Sequence, residues 1–182
     1  MRIISGDFGG RRLKPVPGRA TRPTTDKVKE SIFNIIGPYF SGGQCLDLFA
    51  GSGALGIEAV SRGMDHAVLI DRQYAAIQVI KENVATTKAP ERFKIIKTNA
   101  ERALSQLQTP FDLVLLDPPY AQQKVVANLQ FMQQAGLLNP AAQIMCETSS
   151  ETVLPDTLTG FTFKGRHLYG LTAVTIYQKA GL

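Results

Sequence analysis

From Gln44 onward, short apolar runs alternate with longer amphipathic ones, and this narrows the possible folds more than any other feature. QCLDLFA (44–50), HAVLIDR (66–72), RFKIIKTN (92–99), FDLVLLD (111–117) and AQIMCETS (142–149) read as strands. Between them, GSGALGIEAVSRG (51–63), QYAAIQVIKENVATT (73–87), residues 100–108 and QQKVVANLQFMQQAG (122–136) read as helices. Strands with continuous apolar cores, separated by helices, imply a mostly parallel sheet covered on both faces. The fold class is therefore α/β, a doubly wound, Rossmann-like sheet, which takes its ligand beyond the carboxyl ends of its strands. The tail FTFKGRHLYGLTAVTIYQK (161–179) holds two alternating runs and predicts a C-terminal antiparallel hairpin at the sheet edge.

The 182 residues leave room for one such domain and a small extension. The extension is predicted at residues 1–40 and the main domain at 41–182. GDFGGRRLKPVPGRATRPT (6–24) carries four glycines and three prolines, so it reads as extended segments and turns. A helix follows in TTDKVKESIFNIIG, capped by Thr24 or Thr25, with Val28, Ile32, Ile35 and Ile36 near one face and Gly37-Pro38 as its stop. Residues 1–29 hold eight Lys/Arg against Asp7 and Asp26, whereas the other 153 hold twelve basic and thirteen acidic side chains. The excess positive charge is thus confined to the extension, as expected of a surface for a polyanion such as nucleic acid. Cys45 and Cys146 sit in apolar strand runs and read as buried thiols, and no Cys/His spacing calls for a metal. The N-terminus turns polar at once and no run reaches the length of a membrane span, so a cytoplasmic protein is expected.

Gly51, Gly53 and Gly56 spell G-x-G-x-x-G between a strand and a helix, with Asp71 twenty residues after the first. This is the dinucleotide fingerprint, and an NAD-dependent oxidoreductase is one reading. A small-residue loop and an acid for ribose hydroxyls serve the adenosine of S-adenosylmethionine equally well. Asp47, near the end of the first strand, favours the second reading, because a carboxylate beside the loop suits a cationic amino acid and repels pyrophosphate. Ala50, Gly51, Ser52, Gly53 and Arg72 complete the expected cofactor loop. Asn99 and Ala100, after the third strand, are expected beside adenine, although Asn99 serves equally as a helix cap.

The fourth strand ends in Asp117-Pro118-Pro119-Tyr120. Two prolines make a stiff rail that fixes a carboxylate and carbonyls in place, and the tyrosine offers a face for stacking on a base. An exocyclic amine needs such partners: its two hydrogens go to Asp117 and the Pro118 carbonyl, which favour positive charge developing on nitrogen. A turn after a strand would explain the prolines alone, but not the full set beside a cofactor loop.

RIISGDFGGRRLKPVPGRATRPTTDKVKESIFNII, LDLFAGSGALGIEAVSRG and DLVLLDPPY together resemble the bacterial 16S rRNA guanine-N2 methyltransferases, over nearly the whole chain. The resemblance implies a Class I methyltransferase that uses S-adenosyl-L-methionine. It would act on a guanine of 16S rRNA, free or in a small-subunit assembly particle; direct transfer to a nitrogen lone pair needs no metal, and a monomer is the default expectation. It implies Asp117, Pro118, Pro119 and Tyr120 as target-holding residues, and Arg11, Arg12, Lys14, Arg19, Arg22 and Thr24 on the RNA side. Family members often carry Arg where Lys27 and Lys29 stand, and lysine cannot make arginine's two-pronged phosphate contact, so RNA contact and plain helix surface both stay open for these two. An adenine-N6 methyltransferase acting on DNA and a non-enzymatic RNA-binding module are the remaining alternatives.

Overall fold

Each of the first four parallel strands is followed by a helix that carries the chain back over one face of the sheet, and this return sets the architecture of the computed structural model. The structure describes residues 1–18 and 24–181. Helix α1 (Asp26–Ile36) precedes strand β1 (Gln44–Asp47) and helix α2 (Ala54–Ser61). Strand β2 (His66–Asp71), helix α3 (Tyr74–Thr86), strand β3 (Phe93–Lys97) and helix α4 (Ala100–Gln106) come next. Strand β4 (Phe111–Leu116), helix α5 (Val125–Gln134) and strand β5 (Leu138–Ser149) complete the parallel part. A two-residue strand β6 (Thr157–Leu158) leads into the hairpin of β7 (Phe161–Tyr169) and β8 (Thr172–Lys179).

The sheet order is β3-β2-β1-β4-β5-β8-β7-β6. The hairpin is antiparallel as its pattern predicts, but it does not simply append to the edge. Its second strand, β8, inserts against β5, and β7 lies outside it. The composition explains the order: Ala173–Tyr177 of β8 are all buried, whereas β7 alternates with exposed residues and tolerates an outer place.

Alternate strand residues feed two apolar layers, as the pleat demands. Cys45, Leu69, Leu113, Leu115 and Met145 face one layer, which Ile57 and Val60 of α2 and Ile77, Ile80 and Val84 of α3 cover. Leu46, Ile70, Val114, Leu116, Ile144 and Cys146 face the other, which Leu104 of α4 and Leu129 and Met132 of α5 cover. Ile3, Phe8 and Leu13 of the N-terminal extension are buried in the first layer, together with Ile32, Phe33 and Ile36 of α1. The extension is therefore packed as core where it is described.

Helix α1 starts where Thr25 accepts a hydrogen bond from the Val28 amide at 3.2 Å. Its buried face is Lys29, Ile32, Phe33 and Ile36, while Ile35 is 41 % exposed. The expected stripe through Ile35 is thus rotated toward Phe33, and a lysine lies on the inner side. Lys29 is neither helix surface nor an RNA contact: its ammonium lies 3.4 Å from Glu58 and donates to the Arg2 carbonyl. Burial lowers its pKa, and the Glu58 carboxylate opposes that shift. Glu58 also takes Arg62 Nε at 2.9 Å and the amides of Ile4 and Ser5 at 2.8 and 3.1 Å. One buried glutamate thus clamps the extension, α1 and α2 together. No helix among the described residues is long and apolar enough to cross a membrane.

Candidate active site

Strand β1 lies between β2 and β4, and the direction of winding reverses there. The carboxyl ends of β1 and β4 consequently open a crevice where a doubly wound sheet binds its ligands. The register sets Asp47 opposite Leu115, so Asp117 stands two residues further along the neighbouring strand. Two surface depressions of about 480 and 420 Å³ lie elsewhere, at the amino-terminal edge, around Asp112 and Gln143 and around His66 and Phe93. They carry none of the residues that the sequence marks for chemistry.

The three glycines of the loop have different tasks. Gly51 and Gly53 take φ values of 58° and 83°, a left-handed turn that favours glycine. Gly53 also precedes the first turn of α2. Gly56 lies inside α2, where a Cβ would come 2.2 Å from Leu69 Cδ2, so it lets the helix lie close on the sheet. Ala50 is buried, with its amide bonded to the Ile70 carbonyl at 2.7 Å.

Two buried carboxylates flank this loop. Asp71 accepts from the Gly51 amide through Oδ2 and from the Gln73 amide through Oδ1, both at 2.9 Å. Asp47 is 1 % exposed and accepts from the Gly56 amide through Oδ2 at 3.0 Å, while its Oδ1 has no hydrogen-bond partner among the described residues. Burial pushes the Asp47 carboxyl up to about 7; the Gly56 amide opposes the shift and the Asp71 charge adds to it. A buried acceptor without a donor among the described residues, beside a second carboxylate, suits a cation. It fits the ammonium and sulfonium of S-adenosylmethionine and opposes a pyrophosphate. Arg72 is exposed just after Asp71, and Ser52 is half-buried. Asn99 caps α4 by accepting from the Arg102 amide at 2.8 Å, and Ala100 packs on the second apolar layer.

At the end of β4, Asp117 is half-buried, Pro118 buried and Pro119 exposed. Tyr120 opens a short 3₁₀ turn, and its hydroxyl is 2.9 Å from Thr172 Oγ1 on β8. That anchor holds the ring while leaving the residue 41 % exposed. Partial burial raises the tyrosine pKa; the Thr172 hydrogen bond opposes this, and the charges of Glu147 and Asp117 add to it.

Glu147, Thr172 and Asn83 are the residues that the motifs did not flag. Glu147 stands near the end of β5 and is 5 % exposed. The Thr24 hydroxyl donates to it at 3.0 Å, so Thr24 turns toward the crevice. Asn83, on the buried face of α3, donates to the carbonyls of Lys14 and Ser52 and accepts from the Lys14 amide. A lone amide among Val79, Ile80 and Val84 was its only signal in the sequence.

The expected RNA-side residues do not all point to solvent. Arg12 is exposed. Arg11 lies over the Phe8 ring, 5.3 Å from its centre, and donates to the Thr86 carbonyl. Lys14 pairs with Glu82 at 2.7 Å on the surface. Arg19 and Arg22 lie outside the described residues. Cys45 and Cys146 are buried thiols whose pKa is raised by burial, as befits core residues rather than nucleophiles.

A buried carboxylate, Asp47, where a dinucleotide enzyme would present amides to phosphate, at the same switch point as the Asp117–Tyr120 tetrapeptide, separates this sheet from the NAD-dependent ones. Fold and crevice define a Rossmann-like methyltransferase, and a solved Escherichia coli structure provisionally titled methyltransferase yhhF superposes with a TM-score of 0.85. That structure is 37 % identical, covering 100 % of this chain and 99 % of its own. More particularly, the chain belongs to the family described as conserved hypothetical protein 95, whose model matches residues 1–178. A Bacillus subtilis relative, provisionally named rRNA methyltransferase YlbH, is 48 % identical over 184 residues and all of both chains. The Escherichia coli K12 protein named ribosomal RNA small subunit methyltransferase D is 38 % identical over 98 % of this chain and 90 % of its own.

Proposed function

We propose that this chain transfers a methyl group from S-adenosyl-L-methionine to the exocyclic N2 of a guanine in 16S rRNA of the small ribosomal subunit. The observation that carries the reading is the meeting of Asp117, Pro118 and Tyr120 with the loop of Asp47 at one switch point. The names of the two relatives support rRNA as the substrate class.

When bound, S-adenosylmethionine supplies an electrophilic methyl group on a sulfonium sulfur. Asp47 and Asp71 hold its cationic and ribose ends, with Ala50, Gly51, Ser52 and Gly53 as the loop, Arg72 beside it, and Asn99 and Ala100 near the adenine. Asp117 and the Pro118 carbonyl accept the two amine hydrogens, which aims the nitrogen lone pair away from them and toward the methyl group. Tyr120, anchored through its hydroxyl, stacks on the target base. As the nitrogen gains its methyl group it must shed a proton, and Asp117 is the acceptor within the tetrapeptide. The rail of Pro118 and Pro119 keeps these acceptors preorganised, which is where such sites gain most of their rate.

Residues 1–40 act as the RNA-facing extension of the catalytic unit at 41–182. Arg11, Arg12, Lys14, Arg19 and Arg22 contribute phosphate attraction, and binding accordingly weakens with added salt. The protein works as a cytoplasmic monomer on rRNA or on an assembling subunit, where an unpaired loop exposes the base at least cost.

The test is transfer of tritium from labelled S-adenosylmethionine to unmodified 16S rRNA and to small-subunit particles, with digestion to nucleosides. N2-methylguanosine is the expected product. Asp117→Ala should lower the rate by about 10²–10³-fold, the usual loss for one preorganised group. Label in N6-methyladenosine would overturn the choice of base.

A further inference from the structure

Glu147 is the buried acid of this molecule whose environment the fold leaves unexplained. It lies on β5, which pairs with β4 on one side and β8 on the other. The β4–β5 register sets Leu116 opposite Cys146, so Asp117 and Glu147 are the next residues along the two strands. Both charges raise the Tyr120 pKa, so Tyr120 lies within electrostatic reach of each. Only 5 % of Glu147 is exposed, yet its hydrogen-bond donor among the described residues is a neutral hydroxyl, Thr24 Oγ1. A carboxylate removed from water needs more donors than that, and groups so placed in a crevice mark functional sites.

A guanine can supply the missing donors. Its Watson–Crick edge presents N1–H beside the N2 amine, and a carboxylate accepts such adjacent hydrogens well. Adenine presents N1 as an acceptor at the corresponding place, which a carboxylate repels. Asp117 is committed to the amine, so a second carboxylate one strand over can read the ring nitrogen. We infer that Glu147 is a specificity-determining residue that accepts the N1–H of the target guanine and thereby excludes adenine. This inference rests on the guanine-N2 reading above.

The labelling assay identifies the modified nucleotide; a synthetic rRNA fragment is then made with guanine or 2-aminopurine at that position. 2-Aminopurine keeps the 2-amine but lacks the N1 hydrogen. The wild-type protein should favour guanine by about 10- to 100-fold in kcat/KM, as expected for one well-placed base contact. Glu147→Gln should lower kcat/KM on guanine and shrink that ratio toward one, with its melting temperature and S-adenosylmethionine affinity unchanged. Thr24→Val removes only the hydroxyl partner and should keep the wild-type ratio. The inference is overturned if Glu147→Gln keeps the full ratio, or if Thr24→Val reproduces the effect of Glu147→Gln, which would make the contact structural. Labelling of a base other than guanine by the wild-type protein would instead remove the underlying function, and the inference with it.

Discussion

Glu58 and Glu147 are buried to almost the same depth, 0 % and 5 % exposed, but their surroundings are opposite. Glu58 has two cations, Lys29 and Arg62, and two backbone amides. Glu147 has one neutral hydroxyl among the described residues. The first belongs to the clamp that fastens the N-terminal extension on α2; the second belongs to the carboxyl edge of the sheet. Asp47 shares the condition of Glu147, with one oxygen unpartnered and its pKa raised to about 7 by burial. Where the molecule needs only to hold itself together it neutralises a buried charge. At the carboxyl edge, Asp47 and Glu147 are instead short of partners among the described residues.

The contrast predicts where substitutions do damage. Glu58→Ala strands two buried cations, Lys29 and Arg62, and should cost about 3–5 kcal/mol in denaturant unfolding. If it costs no more than a surface change, the clamp is not a clamp. Asn83→Ala leaves the carbonyls of Lys14 and Ser52 and the Lys14 amide without their side-chain partner, a loss of about 1–3 kcal/mol readable in the same titration.

At the other edge the sign reverses. Because the folded protein holds the Asp47 proton up to about pH 7, against an ordinary carboxyl value of 3.8, the unfolded chain releases it first as pH rises. The ligand-free protein should therefore lose about 1.4 kcal/mol per pH unit across the interval from about 4 to 7. Asp47→Asn should flatten that slope, seen in unfolding curves at pH 5 and 7. Affinity for S-adenosylmethionine should move the opposite way, strengthening as pH rises through 7 and Asp47 ionises. The smallest effect belongs to the rim: Glu82→Gln breaks an exposed pair with Lys14 and should change stability by about 1 kcal/mol or less, and by less still in high salt.

The same contrast explains what the amino-acid order discloses. The parallel strands are legible because each is a near-continuous apolar run, and the crevice is legible because Gly51, Gly53 and Asp117–Tyr120 are sharp local signals. The partners of the clamp are not. Glu58 and Arg62 have only the four-residue spacing of an ordinary surface pair, and Lys29 stays open between RNA contact and helix surface, because nothing local shows that residues 1–13 fold over them. Glu147 is one acid in MCETS, and only the β4–β5 register brings it beside Asp117. The local pattern likewise yields the β7–β8 hairpin but not which of its strands meets β5, a choice made by burial in the assembled sheet. Asn99 can be a cap or a ligand by its type alone, and in the structure its side-chain oxygen caps α4.

That inserted strand bears on how the molecule is made. Thr172, which anchors Tyr120, belongs to β8, and β8 lies between β5 and β7 although it follows both in the chain. Synthesis runs from the amino terminus, and the Rossmann core through β5 is complete in the nascent chain well before β8 emerges. Until then the edge of β5 is bare and Tyr120 has nothing to hold it. A nascent chain can thus shape the loop of Asp47 before it can fix the Tyr120 ring, so the crevice is finished only once β8 has paired with β5.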